Sequence, residues 1–560
     1  MSPLLLRSSK DLARPAIALA VLALLAVLIR APFNSNSGVN EAYYLVVGRQ
    51  WLHGLPPYVG AFDVKPPLLF LLMTASEALF GPVLLAAKAL ATTAAALAAC
   101  GLYLFGRRFM GEIAGVSAAV LYIVSTLSLG GTFSPAELIM APFTVFGMLS
   151  GALALFGPAQ VRIGCLLLSG LLFGAAVCVK QTALFEAAAL ALALMLSRPA
   201  AERVKKSAPP LLSWPGLSRP SSAFIEIYHV FLDGRLNCGH DYCKAGLKAA
   251  CALAVGLCIV PLGFALYFLA IGRLDALVND AVIAAFRRAG SDYAPAAGGF
   301  RPLVAGLFPV LPIITMAGLL WAGRRKLRNL PCYPAIRLLA LWAAGALAGV
   351  FSTKSMFVVY CLPLLQPLCL AAGGYLQHLL AGIPSPNHRG LVRTGVLGGA
   401  VLYSCWAISP LFLAGGSNVK AAEAAALLIA RERKSPEDRV LVLDRDVLVY
   451  LTAGIEPPLS MFHPVQLLCV FPRQGARTAL VSAMNESPAF IVAAGTPGGL
   501  NCENRSLRKA IEGKLAQDYC PLGHFGSSVT GWPGSFTLFG LKARGCSQSL
   551  SKQTKTPPAV

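Results

Sequence analysis

The stretch IGCLLLSGLLFGAAVCVKQTALFEAAALALALMLS, residues 163–197, decides what kind of protein this is. It is too long for one comfortable bilayer crossing, which takes about 20 apolar residues as a helix. Lys180 with Gln181 interrupts it near the midpoint. Two helices joined by a polar tip satisfy both facts, because in lipid the backbone must close its own hydrogen bonds and a polar break belongs at the water boundary. The rest of the chain agrees. Of its 560 residues 56% are hydrophobic and 13% charged, and the mean hydropathy is +0.67, outside the range of soluble multidomain proteins.

Working outward, spans are expected near residues 15–31, 84–105, 113–130, 136–156, 163–179, 181–197, 246–270, 303–323, 335–351, 356–376 and 393–414. About 11 crossings leave the two ends of the chain on opposite sides. Alternation then puts Arg107, Arg108, Arg162, Arg203, Lys205, Lys206, Arg324, Arg325, Lys326 and Arg328 on one side, as the positive-inside rule requires of the cytoplasmic face. The net charge of +22 is therefore a topology signal. It is not gathered on one soluble face with interleaved aromatics, so nucleic acid is excluded as a partner. The first run, Pro15 to Ile29, follows Arg7, Lys10 and Arg14 and lacks a convincing small-residue cleavage site, so it reads as a retained span.

The fold class expected is an all-α polytopic membrane bundle, residues 1–414, with a small α/β domain over 415–560 on the outward side. In the first outward loop, 31–67, Tyr44, Val47 and Trp51 recur at helical spacing and suggest a helix lying in the interface, with the aromatics as anchors. The tail carries a helical segment, Val419 to Arg433, and strand-like runs at Arg439 to Leu443, Ala489 to Ala493 and Ser535 to Leu541. The Pro- and Ser-rich stretch within 207–245 reads as an inserted cytoplasmic loop. Cys238, His240 and Cys243 lie there without a second ligand pair, so no zinc site is expected. Cys469, Cys502, Cys520 and Cys546 fall in the outward tail, where an oxidising compartment permits disulfides of unspecified pairing.

On this topology nearly every unusual polar residue faces outward. Asn40, Glu41, Asp63 and Lys65 belong to the first loop, and Lys88 lies about one turn inside the second span. Glu137 opens the fourth span, Lys180 marks the polar tip, Arg287, Arg288 and Tyr293 share a later loop, and Lys354 and Tyr360 follow. Each has a bland reading. Glu41 fits a solvated loop carboxylate, Lys65 and Lys88 snorkelling lysines, Glu137 a first-turn acid favoured by the helix dipole, and Arg287 and Arg288 a headgroup contact. Independent accidents would not choose the same side, and charges at membrane level are costly enough to need a function. Cations suit a lipid-borne phosphate, and a carboxylate suits a base that deprotonates an acceptor hydroxyl.

The run Asn40-Glu41-Ala42-Tyr43-Tyr44 followed by Asp63-Val64-Lys65-Pro66-Pro67-Leu68 resembles the first outward loop of the GT-C glycosyltransferases, among them protein mannosyltransferases, lipid A aminoarabinose transferases and rhizobial galacturonosyltransferases. The likeness continues through Phe133 to Pro142 around Glu137, through Gly170 to Gln181 ending at Lys180, and through Phe351 to Leu368 with Lys354, Tyr360 and Leu362-Pro363-Leu364-Leu365. It implies an inverting transfer of a sugar from a polyprenyl-phosphate donor to a glycolipid, glycan or protein of the cell envelope, at the periplasmic face of a bacterial inner membrane. No cofactor is required, and a divalent metal is optional. Glu41, Glu137 and Asn40 would be catalytic, Lys65, Lys180, Arg287, Arg288 and Lys354 would hold the donor phosphate, and Tyr44, Asp63, Lys88, Tyr293 and Tyr360 would bind substrate. The chain departs from the pattern at Asn40, where many relatives carry Asp. An amide cannot act as a base, which leaves Glu41 or Glu137 to serve as the base, Glu41 being preferred, or else points to an inactive subunit. A secondary transporter or flippase is the rival class, but it calls for midplane charges and internal repeats, neither of which the sequence has.

Overall fold

A computed structural model describes residues 9–545 except 36, 158–160, 197–239, 290–299, 326, 328–332, 355–356, 384, 414–416, 444–446, 463–473, 495–504 and 526–535. The inserted loop as far as residue 239, Tyr293 and Cys469, Cys502 and Cys546 thus lie outside the described residues, whereas 240–245 begin helix His240–Ala270 and so end the loop earlier than expected. Among the described residues, nine helices are long and apolar enough to cross a membrane, from Ala13–Phe33 to Val358–Ala381. Two more of the expected spans are helical. Pro386–Leu413 has 28 residues, and Ala183–Leu196 has only 14, about 21 Å of helix against a hydrocarbon core of about 30 Å. The sequence reading missed Pro67–Phe80, another apolar helix of 14 residues, because its run is too short to register as a span.

The chain divides into two compact units. The first comprises Met1–Ala31, Ala91–Ala270 and Gly298–Ser409. Its core is built from alanine and leucine around a few large rings, Tyr103, Phe105, Tyr122, Phe173 and Trp342 among them, all fully buried. Lipid tails are as apolar as leucine, so close backbone approach and interhelical hydrogen bonds must hold such helices together. Both are present. A Cβ on Gly170 would lie 2.1 Å from the Leu253 carbonyl oxygen, and one on Gly256 would lie 2.3 Å from that of Leu167, so helices Arg162–Val179 and His240–Ala270 touch backbone to backbone. Ser169 Oγ donates to the Gly147 carbonyl at 2.7 Å and Thr144 Oγ1 to Gln366 Oε1 at 2.9 Å. The break predicted at Lys180 is real, with Lys180 extended at φ −154°, ψ 126°. The second arm finds its own partner, since Gly345 on Tyr333–Ser352 comes so close that a Cβ there would lie 2.6 Å from the Phe185 carbonyl oxygen.

The second unit comprises Pro32–Leu90, Ile271–Ala297 and Pro410–Val560. Four strands, β1 (Val440–Val442), β2 (Phe490–Ala494), β3 (Tyr519–Phe525) and β4 (Phe536–Leu541), form a sheet in the order β1-β2-β4-β3. The parallel pair β1 and β2, with Leu441 opposite Ile491, is joined through helix Gln474–Asn485, the kind of crossover a parallel pair needs. β3, which the sequence reading overlooked, is an edge strand carrying Pro521 beside an irregularity in its pairing with β4. Cys520 on β3 is disulfide-bonded.

The first-loop helix, Val39–Leu52, corrects an expectation. It is not a one-sided interfacial helix, because every residue from Glu41 to Gln50 is buried. The tail covers it. Tyr43 packs 4.6 Å from Phe462 between ring centroids, Phe62 N–H donates to the Ser460 carbonyl at 2.9 Å, and Arg49 reaches Glu456 at 3.0 Å and the Ile455 carbonyl at 2.9 Å. Tyr43 and Tyr44 are therefore packing residues of this unit, and only Trp51 keeps partial exposure.

One ion pair in the tail makes stability depend on pH. The Arg544 guanidinium, 2.6 Å from the Asp438 carboxylate, pushes that carboxyl down from 3.8 to about 2, helped by the Lys434 and Ser435 amides. A carboxyl held below its unfolded value contributes stability that is present above about pH 4 and lost as pH falls toward 2. Hydrogen exchange of β1 and β2 in the whole protein should accelerate through that window. Arg544→Gln should weaken the dependence, and an unchanged profile would show that the pair does not matter.

Candidate functional site

In the first unit three of the residues selected from sequence come together. Pro135, at φ −69° and ψ 151°, starts helix Ala136–Phe156 and sets Glu137 in its first turn. Lys180, at the break after Arg162–Val179, forms an ion pair with Glu137 Oε1. The ammonium also lies 3.9 Å from the ring centroid of Tyr360, which the short turn Val358–Cys361 presents. The Glu137 and Lys180 side chains are 5% and 6% exposed. At that burial each charge depends on the other, and the aromatic face adds a cation–π contact. The bland readings of a first-turn acid and a merely polar tip are insufficient, since neither requires the two to meet across 43 residues.

Approach to Glu137 is fixed by a residue the sequence reading did not single out. Arg30, at the end of the first span and 4% exposed, donates to the Gly131 and Phe133 carbonyls and to Thr92 Oγ1. It clamps the turn Leu127–Gly131, where Gly130 sits at φ 83°, ahead of Pro135. A single arginine at a span end carries no sequence signal that separates a clamp from an interface anchor.

The second unit contains a second buried pair. Glu41 Oε1 meets Lys88 Nζ at 2.8 Å, with side chains 1% and 3% exposed, and Glu41 Oε2 accepts the Gly38 N–H at 2.7 Å in a capping box. Glu41 is thus not a solvated loop carboxylate, and Lys88 does not snorkel. Asp63 Oδ1 accepts the Lys65 N–H at 2.8 Å, and Tyr58 OH donates to the Lys65 carbonyl at 2.6 Å, so the backbone that carries the Lys65 side chain is fixed on both sides. Burial and the nearby Asp63 carboxylate hold the Tyr43 phenol well above its usual pKa, which keeps it a donor to the Phe62 carbonyl. Tyr44 packs edge-on against Phe70 at 5.9 Å.

The remaining candidates are not members of these buried ion pairs. Asn40 is exposed in the first turn of its helix, Arg287 is exposed on Ala284–Ala289, and Lys354 is exposed at φ 55°. Nothing is described of the Arg288 side chain. Among the described residues no group of three or more His, Cys, Asp or Glu is gathered as a metal site would need.

Comparison with known proteins completes the picture. The family profile described as dolichyl-phosphate-mannose-protein mannosyltransferase matches residues 64–218, the stretch that holds Lys65, Lys88, Glu137 and Lys180. No curated protein matches the chain. Among solved structures, the fold is that of the GT-C glycosyltransferases, and the chain is a multi-pass membrane protein of that architecture. It is similar to ArnT from Cupriavidus metallidurans bound to undecaprenyl phosphate, with a TM-score of 0.60 at 14% identity over 93% of this chain and 97% of that one. The apo state of the same protein gives 0.56 at 15% identity over 95% and 98%. The oligosaccharyltransferase AglB from Archaeoglobus fulgidus, in complex with an inhibitory peptide and a dolichol-phosphate, gives 0.52 at 13% identity over 98% and 76%.

Proposed function

We propose that this chain is a glycosyltransferase that takes a sugar from a polyprenyl-phosphate carrier and passes it to an envelope acceptor at the periplasmic face of a bacterial inner membrane. The observation that carries the reading is the buried Glu137–Lys180 pair under Tyr360, on a chain with the GT-C fold. The outward orientation is supported by the charge asymmetry of the loops. A disulfide at Cys520 is in keeping with an oxidising compartment for the tail.

In the proposed reaction the acceptor hydroxyl attacks the anomeric carbon from the face opposite the phosphate. The carbon–oxygen bond to the phosphate breaks, and its electron pair leaves with the phosphate. Lys180 turns from Glu137 toward the charge developing there, which is electrostatic stabilisation of the kind that dominates such barriers. Glu137, released from its partner, takes the hydroxyl proton. It suits this role better than Glu41, because both Glu41 oxygens are engaged, whereas Glu137 Oε2 has no hydrogen-bond partner among the described residues. Glu41 is then held by Lys88 as part of the loop framework. Lys354, in the same unit as Lys180, is proposed as a further contributor to phosphate binding.

Mass spectrometry of envelope glycolipids and glycans from a deletion strain tests the proposal. Loss of one sugar from one species, restored by the intact gene, is expected and would name both substrates. An unchanged envelope together with substrate uptake by sealed vesicles would replace this reading with transport.

A further inference from the structure

A small cavity of about 10 Å³, the space one water needs, lies next to Lys180 and is lined also by Thr182, Glu186, Gly349, Thr353 and Tyr360. Glu186 is a carboxyl the reaction above does not use. It is 1% exposed in the first turn of Ala183–Leu196, and the Trp342 indole N–H donates to its Oε2 at 2.5 Å. Trp342 is itself fully buried. A first-turn acid is favoured by the helix dipole alone, but that does not require a carboxyl to be buried against an indole and to border a polar cavity. The spacing is built in by the backbone. Gly345 and Gly349, one turn apart on Tyr333–Ser352, let this helix approach Phe185 and Thr182 closely enough for Trp342 to reach Glu186 and for the cavity to form.

An ammonium has three N–H donors. Glu137 occupies one, the Tyr360 face lies beside the group, and the cavity borders it. We propose that Glu186 is a positioning residue for Lys180, acting through one water in this cavity. Lys180 is then bracketed by Glu137 directly and by Glu186 through the water, with Trp342 fixing the second carboxyl. The bracket keeps the ammonium within the cluster while it exchanges Glu137 for the donor phosphate. That last step rests on the proposed function; the bracket itself does not.

The test uses the full-length protein in lipid nanodiscs, with Glu186→Gln and Trp342→Phe, both near-isosteric. The rate at which a small amine-reactive reagent labels Lys180, read by peptide mass spectrometry, should rise about tenfold in both variants, the worth of one hydrogen bond to a charged group. Labelling of exposed Lys354 should stay constant, and unfolding temperatures show which variants remain folded. With a lipid-linked donor, Glu186→Gln should raise KM about tenfold with little change in kcat. Adding it to Lys180→Ala should bring no further loss of donor binding. Unchanged Lys180 labelling in a folded variant overturns the proposal. Faster labelling in the variants, combined with a wild type that neither binds undecaprenyl phosphate nor transfers sugar, would support the bracket and overturn the functional reading instead.

Discussion

Lys180→Ala is expected to abolish sugar transfer from a lipid-linked donor, by a factor of about 10²–10³ or more, the usual loss when one preorganised partner of a developing anion is removed. The interpretation must exclude simple unfolding. Deleting one member of a buried ion pair strands the other, at a cost of about 3–5 kcal/mol, and Glu137 would be the stranded charge. The double replacement Glu137→Gln with Lys180→Met removes both charges while keeping their volume, so it should recover most of the stability and none of the transfer. Wild-type turnover by Lys180→Ala, in protein that elutes and melts like the parent, would end the assignment.

A second large effect is expected at Lys88, and it is a folding effect. Lys88→Met should destabilise the protein by about 3–5 kcal/mol, because it removes one partner of an ion pair whose Glu41 side chain is only 1% exposed. Glu41→Gln in the same chain should restore most of that loss, since the amide oxygen can still accept the Gly38 N–H. Thermal unfolding in detergent of the two single variants and the double provides the cycle. Additive losses, with no recovery in the double, would show that the two side chains do not depend on each other.

The membrane class, the helix positions and the polar break at Lys180 were legible in the sequence, because the bilayer imposes a length and a polarity on each segment that can be read residue by residue. Reading by span length also explains what was lost. Pro67–Phe80 is apolar yet too short to count as a crossing, and β3 carries Pro521 and alternates weakly, so it does not resemble a strand. Glu137, Lys180 and Tyr360 were all selected as candidates, as were Glu41 and Lys88, but their pairing was not. For Lys88 the sequence offered an isolated snorkelling group as readily as a buried partner, for Lys180 a merely polar tip, and for Glu41 a solvated carboxylate.

The sequence by itself determined a polytopic bundle with a small sheet-forming tail, and it nominated the charged residues that cost most to keep in lipid. Tertiary structure alone decided which of them meet: Glu137 with Lys180 beneath Tyr360, Glu41 with Lys88, and Glu186 with Trp342. The reason is physical. Hydropathy is a property of each segment taken alone, whereas an ion pair 43 residues apart in the chain is fixed by how helices pack. Here that packing is set by glycines at positions 170, 256 and 345, whose missing side chains let backbones touch.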